Sequence, residues 1–298
     1  MSFVAIKGGG VAGQVLQREL TLRGIPSRLE DRSPFPRDKV CGGVLQWDSW
    51  EYLNSIFTIR VPVRKVRTLS HFWGKKKISS VRLSREMVYA PRSVLDDALN
   101  AQDRPAIPGG REKVIPVAAS GAEDPAGEWI GFHTRHRPVE EMRMYYGRNV
   151  HLGVTPTLEE TSHVAFIARK GVFKNSDDLR ETVRAETGLH LDMPLKGTAR
   201  IRYGYSSLDL AVGDAKLTTH PFLGLGMKHA ILSARLLAGM IAEGREADYD
   251  RAHRKLFRKF HWSSLGVHRL TAWPLRFLGP PLLGSTRLLR SVYEGLHG

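Results

Sequence analysis

Val4-Ala5-Ile6 runs straight into Lys7-Gly8-Gly9-Gly10-Val11-Ala12-Gly13, and Asp31 follows eighteen residues after the last glycine. Few folds accommodate that order. The spacing predicts a short buried strand over 2–6, a tight glycine turn, a helix over 11–23 and a second strand, Ser27-Arg28-Leu29-Glu30-Asp31, ending in a carboxylate. Gly8 permits the turn, Gly10 lets a pyrophosphate approach the backbone, and Gly13 lets helix and strand pack closely. The helix N-terminus presents free N–H groups and a partial positive charge. A carboxylate at the end of the second strand suits the two hydroxyls of an adenosine ribose. A bare Gly-x-Gly-x-x-Gly says little; strand, helix and a correctly spaced acid around it say a good deal more.

At 298 residues the chain can bury a large core, and its 42% hydrophobic and 25% charged content is ordinary for a globular protein. One cysteine excludes an internal disulfide and any multi-cysteine metal site, so no metal is expected and a reducing, cytoplasmic setting fits. The apolar stretch before Gly8 is too short for a signal peptide, and no run reaches the length of a spanning helix. The formal charge of +15 points either to an anionic partner or to a codon bias toward arginine. The basic residues are spread along the chain without a homeodomain, zinc-finger or RNA-recognition pattern, so no nucleic acid is expected as a partner.

Further along, Val66–Leu69 and Ile78–Val81 flank Gly74-Lys75-Lys76-Lys77 and predict a hairpin. Pro91 starts a helix through Leu99; residues 101–113 read as a loop, and Val114–Ala118 as a strand. Strands are expected at 129–132, 142–145, 150–154 and 164–167, and a helix capped by Ser176 runs to about Glu186. Residues 198–212 read as strand again, ending in Leu208–Val212, before a long small-residue helix over 226–243. The last fifty residues read as basic helices broken at Pro274, Pro280 and Pro281.

A second constellation follows the strand ending at Val212: Gly213-Asp214-Ala215, then Pro221-Phe222-Leu223-Gly224-Leu225-Gly226-Met227. A strand-end carboxylate can hold the hydroxyls of a ribityl chain. Glycines before a helix let the backbone approach a flat ring, and the helix N-terminus can stabilise the negative charge of a reduced flavin. The arrangement therefore suits FAD better than NAD.

Four ordered motifs now resemble one group: the N-terminal glycine loop; Pro34-Phe35-Pro36-Arg37-Asp38-Lys39-Val40-Cys41-Gly42-Gly43; Arg92-Ser93-Val94-Leu95-Asp96, similar to an R-x-x-L-D helix start; and the Gly-Asp-Ala and Pro-x-x-Gly-x-Gly-Met segments. Together they look like the geranylgeranyl reductase and aromatic-hydroxylase branch of FAD oxidoreductases, shortened in the middle. The resemblance implies an α/β fold: a Rossmann-like FAD-binding domain of the para-hydroxybenzoate-hydroxylase type, an inserted antiparallel β-sheet substrate domain and a C-terminal helical tail. The corresponding division is 1–121 and 197–244 for the FAD-binding parts, 122–196 for the substrate-side sheet and 245–298 for the basic helical segment.

The resemblance also implies roles. Gly8, Gly10, Ala12 and Gly13 would meet the pyrophosphate and Asp31 the adenosine ribose. Cys41, Gly42 and Gly43 would line the flavin, and Arg92 would contact the phosphate or ribityl region. Asp214 would hold the ribityl chain, and Gly226 and Met227 would offer N–H groups to the ring. Cys41 also fits a small buried filler, and Arg92 a surface helix charge. The pattern departs at Lys216 and Leu217, where the group carries small residues, and at Val117–Gly121, which lacks an Asp-Gly pair.

The implied function is an FAD-dependent oxidoreductase, a monooxygenase or a reductase, acting on an apolar aromatic, polyketide or isoprenoid molecule. The electron donor would be NAD(P)H or a carrier, and with one dinucleotide fingerprint NAD(P)H would have no domain of its own. The alternative is a non-catalytic relative that binds a ligand or partner. His133, His136, His151 and Tyr145 fall in the expected substrate sheet, with no acid–base role assigned. The tail from 251 interleaves arginines with Leu, Phe and Trp. It reads either as a cover over the FAD-binding domain or as a peripheral membrane contact, and amphipathic helices more often cover cores.

Overall fold

The computed structural model describes residues 2–100, 113–122, 124–271 and 275–297. The expected loop at 101–112 and the break at Pro274 lie outside the described residues. The N-terminal unit forms as the glycine spacing predicts: β1 (Ser2–Lys7), α1 (Val11–Leu22) and β2 (Ser27–Glu30), with Asp31 just past the strand end. Val4, Ile6, Val15, Leu16 and Leu20 are almost fully buried and join one core. β3 (Val44–Gln46) leads into α2 (Trp47–Ile56), then come a long hairpin of β4 (Arg64–Trp73) and β5 (Lys76–Tyr89), and α3 (Arg92–Asn100). β6 (Lys113–Ala118) returns to the first sheet, whose order is β2-β1-β6, all parallel.

A second sheet follows: β7 (Trp129–His136), β8 (Met142–Tyr146), β9 (Val150–Thr155) and β10 (Ser162–Arg169), then α4 (Ser176–Thr187) and β11 (Lys196–Ile201). Its order is β11-β7-β10-β9-β8-β4-β5-β3. Every neighbouring pair is antiparallel except β4–β8. The sheet is thus not confined to 122–196: β3, β4 and β5, from residues 44–89, complete it.

Three local expectations are corrected. Asn175, not Ser176, caps α4, its side chain accepting the N–H groups of Asp177 and Asp178. Residues 208–212 are not a strand; after the two-residue β12 (Gly204–Tyr205) the chain meets the parallel sheet only at an isolated Ala118–Ala211 bridge. β12 instead pairs with β13 (Leu217–Thr218). The chain then enters α5 (Gly226–Ala242), α6 (Tyr249–Leu256), α7 (Arg258–Thr271), α8 (Gly279–Gly284) and α9 (Thr286–His297). Pro280 and Pro281 sit in the first turn of α8, where a missing N–H costs nothing, so they start a helix rather than break one.

Three packings position the site. α1 lies against α5, and both cover the parallel sheet. α4 buries Leu179 and Val183 on the outer face of the second sheet with Val164, Phe166 and Ala168. α8 and α9 cover β4–β5 through Leu283, Leu289 and Tyr293. The face of the central strands turned away from α4 lines a cavity, which α9 borders through Tyr293.

Candidate functional site

The glycines of the first turn divide into two kinds. A side chain on Gly13 would fall on the Gly8 carbonyl, and one on Gly8 (φ 120°) would meet the Ala119 backbone. These two are demanded by packing of strand, turn and helix. Gly10 is different: its φ is −75°, and an added Cβ would lie 3.5 Å from the Arg37 guanidinium, 3.6 Å from Lys39 Nζ and 3.9 Å from Arg92. The backbone does not need glycine there; the bare Cα keeps a space open between the helix end and three cations. No side chain caps α1, so its first N–H groups face the same space.

Asp31 closes this space from below. Its carboxylate accepts from Gly9 N at 2.5 Å, Ser33 N at 2.9 Å and Arg37 at 2.7 Å. Burial alone would raise its pKa; the two N–H groups and Arg37 outweigh that and hold it below the ordinary value. Asp96, fully buried, clamps Arg92 in a two-point ion pair, Nε–Oδ1 2.7 Å and Nη2–Oδ2 2.8 Å. Arg92 is therefore not a surface charge. Burial opposes its protonation, but Asp96 and the adjacent Cys41 raise its pKa further.

A cavity of about 710 Å³ runs from this end, bordered by Gly8, Gly10, Asp31, Arg37, Lys39 and Asp214. A second, of about 230 Å³, opens beyond it, against Cys41, Gly42, Gly43, Asp214, Gly226 and Met227. The two share Val40, Ala122, Thr198, Ile201 and Asp214, so Asp214 stands at their junction. Gly213 explains its position. With φ 61° and no side chain, Gly213 packs directly on the Ala12 methyl, bringing the Gly-Asp-Ala turn against α1. The half-buried Asp214 carboxyl is pushed up by desolvation, which Lys39 and Arg92 partly offset.

The structure thus brings Gly8, Gly10, Asp31, Cys41, Gly42, Gly43, Asp214, Gly226 and Met227 to the walls of one continuous space. Ala12 and Gly13 are placed behind the loop, on Gly213 and Gly8, and do not line it. Cys41 is half-buried on the cavity wall rather than a core filler. Lys216 and Leu217 line neither cavity: Leu217 is buried with Phe257 and Phe260, and the Lys216 ammonium meets the Leu208 and Asp209 carbonyls and Asp250. The departure from small residues therefore faces the C-terminal helices. Of the sheet residues, His151 lines the inner cavity, whereas Tyr145 stacks on Phe72, His136 is on the sheet margin at Arg137, and His133 pairs with Asp38 at 3.2 Å. Burial pushes His151 down to about 3, so it is neutral at pH 7.

Sequence reading passed over Lys39, Arg37 and Tyr203. The two cations stand in a quoted motif, but their meeting at Gly10 depends on the fold. Tyr203 comes to the inner cavity from the segment after β11, stacked on His220.

One wall of the inner cavity comes from the second sheet. Gly153 lies in register between Met144 and Ala165, and Gly131 lies opposite Ile167. Gly131 and Gly153 line the cavity with Leu69, Met142, Met144 and Ile167, and the space over each glycine is taken up by neighbouring side chains, Thr198 and Ile201 at Gly131 and the Met144 thioether at Gly153. The residues fit an extended dinucleotide: a cationic helix end for a diphosphate, a carboxylate midway, and a glycine-led helix start beside a largely apolar cavity.

No family model and no curated protein matches the sequence. The fold does match solved structures. It is similar to the flavin-dependent brominase Bmp2, with a TM-score of 0.69 and 15% identity over 100% of this chain and 94% of that one. It is similar to the 2,6-dihydroxypyridine-3-hydroxylase of Arthrobacter nicotinovorans, with TM-score 0.65 and 14% identity over 90% and 91%. Pseudomonas aeruginosa PqsL, solved with 2-aminobenzoylacetate, gives 0.63 and 14% over 99% of each chain. The chain has the fold of flavin-dependent monooxygenases.

Proposed function

We propose that this chain is an FAD-dependent monooxygenase acting on an apolar, planar small molecule, with the fold arranged in the para-hydroxybenzoate-hydroxylase manner. The observation that carries the reading is the continuous cavity from the α1 N-terminus through Asp214 to the α5 N-terminus. The α1 N–H groups with Arg37, Lys39 and Arg92 would hold the diphosphate. Asp31 would meet the ribose with the lone pair left after its three bonds, and Asp214 the ribityl hydroxyls. The N–H groups of Gly226 and Met227 would face the ring edge, where the helix end favours negative charge. When bound, the flavin supplies hydride acceptance and oxygen activation.

The other residues act on the substrate. The apolar wall of Leu69, Met142, Met144, Ala165 and Ile167 would hold the substrate beside the ring and exclude water from it. His151, neutral and on the wall, can accept or donate a hydrogen bond to a polar substituent without adding charge. Hydroxylation rather than reduction is supported by the hydroxylase and the probable FAD-dependent monooxygenase that share the fold, and NAD(P)H as donor is part of the same proposal.

The experiment is direct. Purified protein, reconstituted with FAD, is expected to show a flavin absorbance band and to oxidise NAD(P)H faster with hydroxylated or amino-substituted aromatic acceptors, with hydroxylated product by mass spectrometry. Absence of FAD binding after reconstitution would overturn the reading. Flavin binding with reduced but never oxygenated product would replace the monooxygenase by a reductase.

A further inference from the structure

The C-terminal segment both covers the protein and shows an apolar face outward. Leu283, Leu289 and Tyr293 are buried against the β4–β5 hairpin, and Ser79 Oγ donates to the Leu283 carbonyl at 2.8 Å. Yet Phe277 is 71% exposed and Trp262 59%, with Leu256, Leu278, Leu282 and Leu288 exposed as well. These six are half of the exposed large apolar side chains among the described residues, gathered in 256–288. The gathering is built. Arg276 turns inward, donating to the Gly147 carbonyl at 2.6 Å and the Tyr146 carbonyl at 3.2 Å, with its guanidinium 4.4 Å over Trp73. With Arg276 held against the body, its neighbour Phe277 is left in solvent. α7, which carries Trp262, packs against this 275–278 turn.

The exposed charge of 256–290 is basic, and the acids nearest to α9, Asp48, Glu86 and Glu294, gather beside Tyr293. Arg258, Lys259, Arg287 and Arg290 are exposed, and Glu294 is the one acid in 251–298. α8 also contacts the hairpin whose turn exposes Lys75 and Lys76. We propose that the outward face of α7–α9 docks on the surface of an anionic lipid bilayer, with Phe277, Leu278 and Leu282 at the depth of the acyl boundary and the arginines among the headgroups. A second copy of this chain is the poorer occupant, because two such faces would bring like charge together in a protein of net charge +15. An anionic bilayer neutralises that charge and takes up aromatic and aliphatic side chains at the same depth. No described helix is long and apolar enough to cross a membrane, so the segment lies on the bilayer. The same segment reaches the inner cavity, which Tyr293 of α9 helps to line, so the docked face and the cavity share one wall.

The test uses the full chain with phosphatidylcholine vesicles, with and without phosphatidylserine, by flotation. Wild type is expected to float with the phosphatidylserine vesicles at low salt, to be released as salt rises, and to bind pure phosphatidylcholine weakly. Tryptophan emission should be quenched by brominated acyl chains, and Trp262→Phe should remove much of that quenching. Arg287→Glu with Arg290→Glu should lower the vesicle partition coefficient about tenfold or more. Phe277→Ser with Leu282→Ser should do so comparably, with far-ultraviolet circular dichroism and FAD content unchanged. No flotation of wild type at low salt would overturn the proposal, as would binding unaffected by both double variants. A dimer in sedimentation that Phe277→Ser with Leu282→Ser dissociates would assign the face to a second copy instead.

Discussion

At the scale of single residues, glycines in one turn serve unlike purposes. Gly8 and Gly13 satisfy the packing of the protein on itself, whereas Gly10 satisfies neither conformation nor packing and leaves room for a ligand. Gly10→Val is therefore expected to fold and to bind FAD about tenfold to a hundredfold more weakly, since its branches fill the space between helix end and cations. Asp214→Ala should weaken FAD by a similar factor through loss of a charged hydrogen bond. Titration of the apo-variants with FAD, read by fluorescence quenching, checks both. The Arg92–Asp96 pair gives an opposite expectation: Asp96→Ala leaves a guanidinium buried without its counter-ion and should cost about 3–5 kcal/mol, read as a drop in denaturation midpoint.

At the scale of elements, stability and ligand binding separate. α4 shields the outer face of the second sheet, and its first turn hangs on Asn175. Asn175→Ala should lower stability by about 1 kcal/mol and leave FAD affinity alone. Lys216, whose side chain lines neither cavity, ties the 208–209 turn to Asp250 on α6. Lys216→Met keeps the volume but strands the carbonyl groups, an expected loss of about 1–3 kcal/mol in chemical denaturation, with FAD stoichiometry near that of wild type. A Lys216→Met protein that folds stably but loses flavin would contradict the placement of that side chain. Elements also explain which expectations failed: Leu208–Val212 has an apolar pattern like a strand, but only Ala211 finds a partner in the parallel sheet.

At the scale of the whole molecule, buried histidines set the acid limit. Burial lowers His71 and His163 to about 4 and His151 and His253 to about 3. Each stays neutral when folded but takes up a proton when unfolded near its ordinary value. Their contribution is complete above about pH 6.5 and is lost as the pH falls toward the folded values. At pH 5 each costs about 2 kcal/mol, so four together approach the whole stability of an ordinary domain. Burial also holds His220 and His229 well below their ordinary value, so melting temperature should fall steeply between pH 6.5 and 5, with uptake of about six protons on unfolding by potentiometric titration. A flat profile over that range would show these rings to be hydrated.

The sequence by itself determined the first βαβ unit, most strand and helix positions, and part of the lining of the dinucleotide-length space, its glycines with Asp31, Cys41, Asp214 and Met227. All of these depend on interactions a few residues apart: glycine geometry, apolar periodicity, an acid at a strand end. Only the tertiary structure decided the rest. The parallel β4–β8 pairing joins residues 64–73 to 142–146, and no local pattern records it. Lys39, Arg37 and Arg92 converge on Gly10 because α3 and the loop after β2 meet at the end of α1. Lys216 turned out to be a structural strut because Asp250 lies opposite it. A residue's type limits the bonds it can make, but which partner fills them is set by burial, where an unpaired polar group is costly and only the folded chain supplies the partner.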